Sequence, residues 1–150
     1  MSNITFISGN VPSSKNSKVK TSKGIFHSKT VMNYVRSLGI QHYSPTKKEV
    51  KGYVNKPNLF LSFLGEDFIS ELKNRPLPIK LGFFFRRKNK NRGDFNNLTQ
   101  IITDLLVAHN LIEDDDMSNL LIYPLDGGFT YDKENPGVTL KILDNNFTIS

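Results

Sequence analysis

The stretch Asp94-Phe95-Asn96-Asn97-Leu98-Thr99-Gln100-Ile101-Ile102-Thr103-Asp104-Leu105-Leu106-Val107-Ala108 decides how the rest of the chain must fold. Leu98, Ile101, Ile102, Leu105 and Leu106 occupy the i, i+3, i+4, i+7 and i+8 positions of one buried helical face. This spacing predicts an amphipathic helix over 97–108, ended by His109-Asn110. Asn97, Gln100 and Asp104 line up along one edge of the apolar stripe. Upstream, Ile79 to Phe85 is rich in strand formers and runs into Arg86-Arg87-Lys88-Asn89-Lys90-Asn91-Arg92, a basic loop. Downstream comes Glu113-Asp114-Asp115-Asp116. Two strands are expected after it, Leu120 to Tyr123 and Val138 to Leu143, joined through Gly127-Gly128 and the turn at Asn135-Pro136-Gly137.

The N-terminal half reads less sharply. Asn3 to Ser8 alternates as a strand should, and the turn formers of 9–14 end it. Lys15 to Lys23 reads as a cationic loop. Ser28 can cap a helix through Leu38, with Gly39 as its stop. Ser44 to Pro57 reads as a polar surface excursion. From Leu59 to Leu72, Phe60, Phe63, Leu64, Phe68 and Leu72 recur at helical spacing, closed by Pro76 and Pro78. Strands and helices in this order predict a single α+β domain over 1–150, a small mixed or antiparallel sheet packed with helices. There are too few βαβ units for a doubly wound sheet.

Composition narrows the chemistry. With no cysteine, disulfides and thiolate zinc sites are excluded. No run approaches the ~20 apolar residues of a membrane span, so a cytoplasmic protein is expected. The net charge is +6 and the isoelectric point about 9.5, which favours polyanionic partners. The charge is also segregated: residues 1–57 hold ten Lys or Arg against Glu49 alone, whereas 113–150 hold eight acids against Lys133 and Lys141. Cations that hold phosphates beside carboxylates that hold metal would serve a nuclease, although solvated lysines alone give the same total.

Asp94, at the mouth of the long helix, and the pair Asp114-Asp115 are the acidic positions of interest. The helix spans about 18 Å and six extended residues return at most about 20 Å, so the chain can bring them together only by doubling back. Hard oxygen ligands gathered there would suit Mg²⁺ or Mn²⁺. The competing reading is ordinary: Asp94 and Asn96 as helix-capping residues, and the acidic run as a solvated turn. His27, His42 and His109 have no metal-ligand spacing, and Phe83-Phe84-Phe85 suits a strand core better than base stacking.

The runs Arg92-Gly93-Asp94-Phe95-Asn96-Asn97-Leu98, Asp104-Leu105-Leu106 and Ile112-Glu113-Asp114-Asp115 together resemble the signature of RusA-like Holliday-junction resolvases. Val11-Pro12-Ser13-Ser14-Lys15-Asn16 is similar to that family's N-terminal Pro-Ser loop. The resemblance implies a homodimeric, Mg²⁺-dependent endonuclease that nicks four-way junctions or other branched DNA, as in bacteriophages and prophages. It implies Asp94, Asn96, Asp114 and Asp115 as the catalytic set, with Asp94, Asn96 and Asp115 on the metal. Lys15, Lys18, Lys20, Arg86, Arg87, Lys88, Lys90 and Arg92 would grip DNA phosphates. Two positions depart from the pattern. Asn96 stands where the family has its second aspartate, which should weaken metal binding, and Gln100 stands where it usually presents a lysine. These departures motivate a second expectation, a branched-DNA binding protein that has lost hydrolysis.

Overall fold

The computed structural model describes residues 3–13, 18–21, 24–89 and 94–148. A four-stranded sheet has the order β1-β8-β6-β7, from β1 (Ile4–Ser8), β6 (Ile79–Arg87), β7 (Leu120–Tyr131) and β8 (Gly137–Ile142). β8 runs antiparallel to both β1 and β6, whereas β6 and β7 are parallel. A parallel pair requires a crossover, and α4 (Phe95–Ala108) supplies it. The fold is α+β, as the order of elements predicts.

Alternation along β6 buries Ile79, Leu81, Phe83 and Phe85. Phe95, the first residue of α4, meets Phe83 and Phe85 edge-on, at centroid distances of 6.3 and 6.0 Å. Behind it the expected stripe of Leu98, Ile101, Ile102, Leu105 and Leu106 is fully buried. Thr99 and Thr103 are buried as well, and each satisfies its hydroxyl by donating 3.0 Å to the carbonyl three residues back.

The helix ends in a Schellman arrangement. Asn110 adopts φ 60°, and the N–H groups of Asn110 and Leu111 donate to Val107 and Leu106 at 3.0 Å each. Leu111 and Ile112 are then buried, which turns the acidic run back along the helix.

Four expectations are corrected. Lys15 to Lys23 is no simple loop, because Lys18–Thr21 (β2) pairs antiparallel with Gly24–His27 (β3). The polar excursion is no simple loop, because its Glu49–Gly52 (β5) pairs antiparallel with the preceding Ile40–Ser44 (β4), a second hairpin anchored by buried Ile40 and Tyr43. The helix expected over Leu59 to Leu72 is two, α2 (Leu59–Leu64) and α3 (Glu66–Asn74), broken where Gly65 takes φ 79°. Gly127-Gly128 lies inside β7 rather than between strands. Phe83 pairs with Pro124 but Phe85 with Phe129, so residues 125–128 form an enlarged bulge that positive φ at Asp126, Gly127 and Gly128 permits. The helix capped by Ser28 is α1 (Lys29–Ser37), as expected.

His109 caps α4 and couples it to α2. Its Nδ1 lies 2.6 Å from the Leu105 carbonyl and its Nε2 2.9 Å from the Asn58 amide, with the ring stacked on Phe60. These partners suit a neutral ring with the proton on Nδ1. Burial holds its pKa below the ordinary histidine value, against a smaller upward pull from the Leu105 carbonyl. A base whose pKa is lower folded than unfolded loses stability as pH falls through the unfolded value of about 6.5. Chemical denaturation between pH 7.5 and 5 should therefore show stability falling below about pH 6.5, and His109→Gln should flatten that slope.

Candidate functional site

Asp94 sits at the N-cap of α4, where its Oδ1 accepts the Asn96 N–H at 2.9 Å. That bond satisfies a helix-terminal donor, and the charge is favoured by the positive helix end. Asn96 is exposed on the first turn. About one turn on, Gln100 donates through Nε2 to Asp104 Oδ1 at 2.8 Å and reaches Asp115 Oδ2 at 3.5 Å, the outer limit for such a contact. The acidic loop thus doubles back as the spacing requires, but it lands on Gln100 and Asp104. Six residues of helix, about 9 Å of rise, separate that point from Asp94.

Internal bonds shape the loop. Asp114 Oδ1 accepts the Asp115 N–H at 2.7 Å. Asp116 accepts from the Ser118 N–H and the Asn119 side chain, both at 2.9 Å, and these bonds, that of the Ser118 hydroxyl foremost, hold its pKa below the usual carboxylate range. Asp116 is therefore a turn residue. Asp104, Glu113, Asp114 and Asp115 line a cleft of about 360 Å³, with Lys48 from the β4–β5 turn at its rim, 3.9 Å from Glu113. That exposed pair contributes little. Tyr43, on β4, is buried within reach of the Asp104 charge; burial first and that charge second push its pKa up.

The structure therefore brings Asp114 and Asp115 together with Gln100, and adds Asp104. It leaves Asp94 engaged at its cap, and neither Asp94 nor Asn96 lines the cleft. Among the described residues, no three His, Asp or Glu side chains are grouped to hold a metal ion. Magnesium, however, is commonly held by one or two carboxylates with water and substrate phosphate. Asp104 and Asp115 are a carboxylate pair of that kind, with the amide nitrogen of Gln100 turned toward both. Sequence reasoning placed Asp104 on the same helix edge as Gln100 yet not in the site; the i, i+4 spacing of the two was the available signal.

The expected DNA-gripping cations separate. Lys15, Lys90 and Arg92 lie outside the described residues, and Lys18 and Lys20 fall on β2. Arg86 and Arg87 belong to β6 rather than to a loop, and alternation sends them to opposite faces. Arg86 is half-exposed, pairs with Asp132 at 3.3 Å and lies over the Phe84 ring. Arg87 is the one buried charged residue among those described, 7% exposed. Lys88 is exposed, its backbone N–H donating to Asn10 Oδ1 at 2.8 Å. No helix among the described residues is long and apolar enough to cross a membrane.

A scan of protein-family models finds no match to the chain, and a search of curated proteins finds none either. The geometry must carry the functional argument.

Manganese titration followed by electron paramagnetic resonance should separate the two carboxylate sets. Asp104→Asn and Asp115→Asn are expected to weaken Mn²⁺ binding by at least about tenfold, the smallest loss usual even for residues that only support a ligand. Asp94→Asn, which keeps a good cap, should change it less than about twofold.

Proposed function

We propose that the chain is a divalent-metal-dependent endonuclease acting on branched DNA, similar in kind to the RusA-like resolvases. One observation carries the reading: the acidic loop returns onto α4 so that Asp115 shares the Gln100 side chain with Asp104. Two carboxylates lining an open cleft are hard oxygen donors on a chain that carries net charge +6. When bound there, Mg²⁺ or Mn²⁺ would polarise a phosphodiester and lower the pKa of an attacking water. The chain's own residues do the rest. Asp104 and Asp115 hold the ion, Asp114 fixes the loop through the Asp115 N–H, and Asp94 holds the start of α4. Lys88, with Lys15, Lys18, Lys20, Lys90 and Arg92, would grip flanking phosphates, which makes affinity fall steeply with salt. In a homodimer, twofold symmetry would present two such sites to the two opposed strands of a four-way junction.

A second reading is favoured by a specific observation. Asp94 is engaged as an ordinary helix cap, leaving two carboxylates rather than three at the metal position. A protein so built could bind branched DNA without cutting it.

A labelled four-way junction incubated with Mg²⁺ or Mn²⁺ decides between them. The nuclease yields symmetric nicks, and Asp115→Asn lowers the cleavage rate at least about 100-fold, the scale of losing one electrostatic stabiliser, while junction binding persists. Binding by the unmodified chain with no nicks supports the second reading. Undiminished cleavage by Asp115→Asn would rule out the mechanism.

A further inference from the structure

A second cleft, of about 610 Å³, is lined by none of the acidic residues discussed so far. One wall is a single face of α1, presenting Thr30, Asn33, Tyr34 and Ser37 at i, i+3, i+4 and i+7. The other is the turn after β1, with Asn10, and the Arg87 side chain from the end of β6. Among the described residues none that lines it is an acid. Two buried polar atoms among the described residues have no hydrogen-bond partner, the Arg87 Nε and the Tyr34 hydroxyl, and both residues line this cleft.

Such a coincidence needs a physical reason. Arg87 donates through Nη1 to the Val11 carbonyl at 2.7 Å, a single neutral acceptor for a buried cation. Arg86, its neighbour, has Asp132, and Arg75 has Glu71 at 3.1 Å, yet Arg87 is more buried than either and has no carboxylate partner among the described residues. A charge removed from water without a counter-charge is costly, and an apolar side chain of similar length would fill the space at less expense. Burial correspondingly draws the Arg87 pKa down, and it pushes the Tyr34 hydroxyl up, so Tyr34 stays protonated and remains a donor. The cleft is thus lined by a positive charge with no counter-charge among the described residues, and by two side chains whose buried donors lack acceptors. The N-terminal end of α1, with Ser28 and Thr30 at the cleft, adds a helix-dipole field of the same sign.

We infer that this cleft is a phosphate-binding site, with Arg87 and Tyr34 contacting the anion and Asn33 and Thr30 flanking it. An arginine edge matches two oxygens of one phosphate, which is why this residue rather than lysine suits the position. The volume falls in the range of about 300–1,000 Å³ that organic ligands occupy, so the phosphate is carried on a nucleotide-sized group. Because none of the candidate metal ligands lines this cleft, the inference stands whether or not the chain cuts DNA.

The test is made without divalent metal and at fixed ionic strength. Thermal unfolding and ³¹P line broadening are followed with inorganic phosphate, a nucleoside monophosphate, and one short oligonucleotide with and without a 5′-phosphate. The unmodified chain should be stabilised in a saturable way, as any ligand of the folded state does. Arg87→Met should lose at least about tenfold in affinity while melting no lower than the unmodified chain, since a buried unpaired charge has been removed. Tyr34→Phe, which deletes one hydroxyl and leaves the packing, should weaken binding several-fold. Stronger binding of the phosphorylated oligonucleotide than of its unphosphorylated twin assigns the phosphate to a strand end. Preference for the monophosphate assigns it to a free nucleotide. Saturable binding that survives intact in both variants would overturn the inference, and so would no response to any phosphate-bearing probe. A large drop in melting temperature in Arg87→Met with no phosphate binding by the unmodified chain would make Arg87 a structural residue instead.

Discussion

The contact between the buried row of β6 and the first residue of α4 governs the molecule. Phe83 and Phe85 are completely buried, and Phe95 closes on both edge-to-face. Burying side chains of this size contributes about 1.5–3 kcal/mol each, whereas an exposed ion pair such as Arg86–Asp132 contributes about 1 kcal/mol at most. Aromatic packing therefore sets where α4 lies, and the polar groups follow. With Phe95 fixed, Asp94 must stand at the cap. With Leu98, Ile101 and Ile102 turned inward, Gln100 and Asp104 are left on the outer edge, where the returning acidic loop meets them.

How much of this was legible depends on how local the signal was. The α4 stripe, the cap at Ser28 and the strand at Ile79 are written in short periodic patterns, and each formed within about two residues of expectation. The failures share a cause. Ile40–Ser44 and Glu49–Gly52 carry polar residues such as Gln41, His42 and Lys51 on a solvated side, and only Ile40 and Tyr43 are deeply buried, so the period-2 signal was thin. Gly65 breaks a helix whose apolar spacing continues across it, because Phe60, Leu64, Phe68 and Leu72 all reach the core from either side of the break. The bulge at 125–128 depends on the partner strand, and nothing in Gly127-Gly128 alone distinguishes a bulge from a turn.

The two arginines at 86 and 87 show the same limit at the level of charge. As sequence they are one basic patch. On a strand, adjacent residues face opposite ways, so Arg86 reaches Asp132 and solvent while Arg87 continues the buried row of Phe83 and Phe85. A net charge of +6 gives no hint of this division, because the total does not record which cation is desolvated. Burial turns one of two identical side chains into a cation with no carboxylate partner among the described residues, and that difference carries chemical information the composition cannot.

Gln100 presents a related problem at the acidic site. Read from sequence, a neutral residue where the resemblance leads one to expect a lysine removes a phosphate-facing cation, and Asn96 removes a carboxylate, so a weak metal site follows. The geometry alters that balance. Gln100 lies between Asp104 and Asp115, where a lysine would have formed an internal ion pair and left the three groups with one net negative charge. With glutamine the same three groups carry two negative charges and no internal counter-ion. Like charges held near one another raise the free energy of the empty state, and a divalent cation relieves it more fully than a monovalent one. The substitution that weakens the resemblance thus leaves Asp104 and Asp115 sharing a neutral amide rather than an ammonium, and the proposed metal site rests on that pair instead of on Asn96.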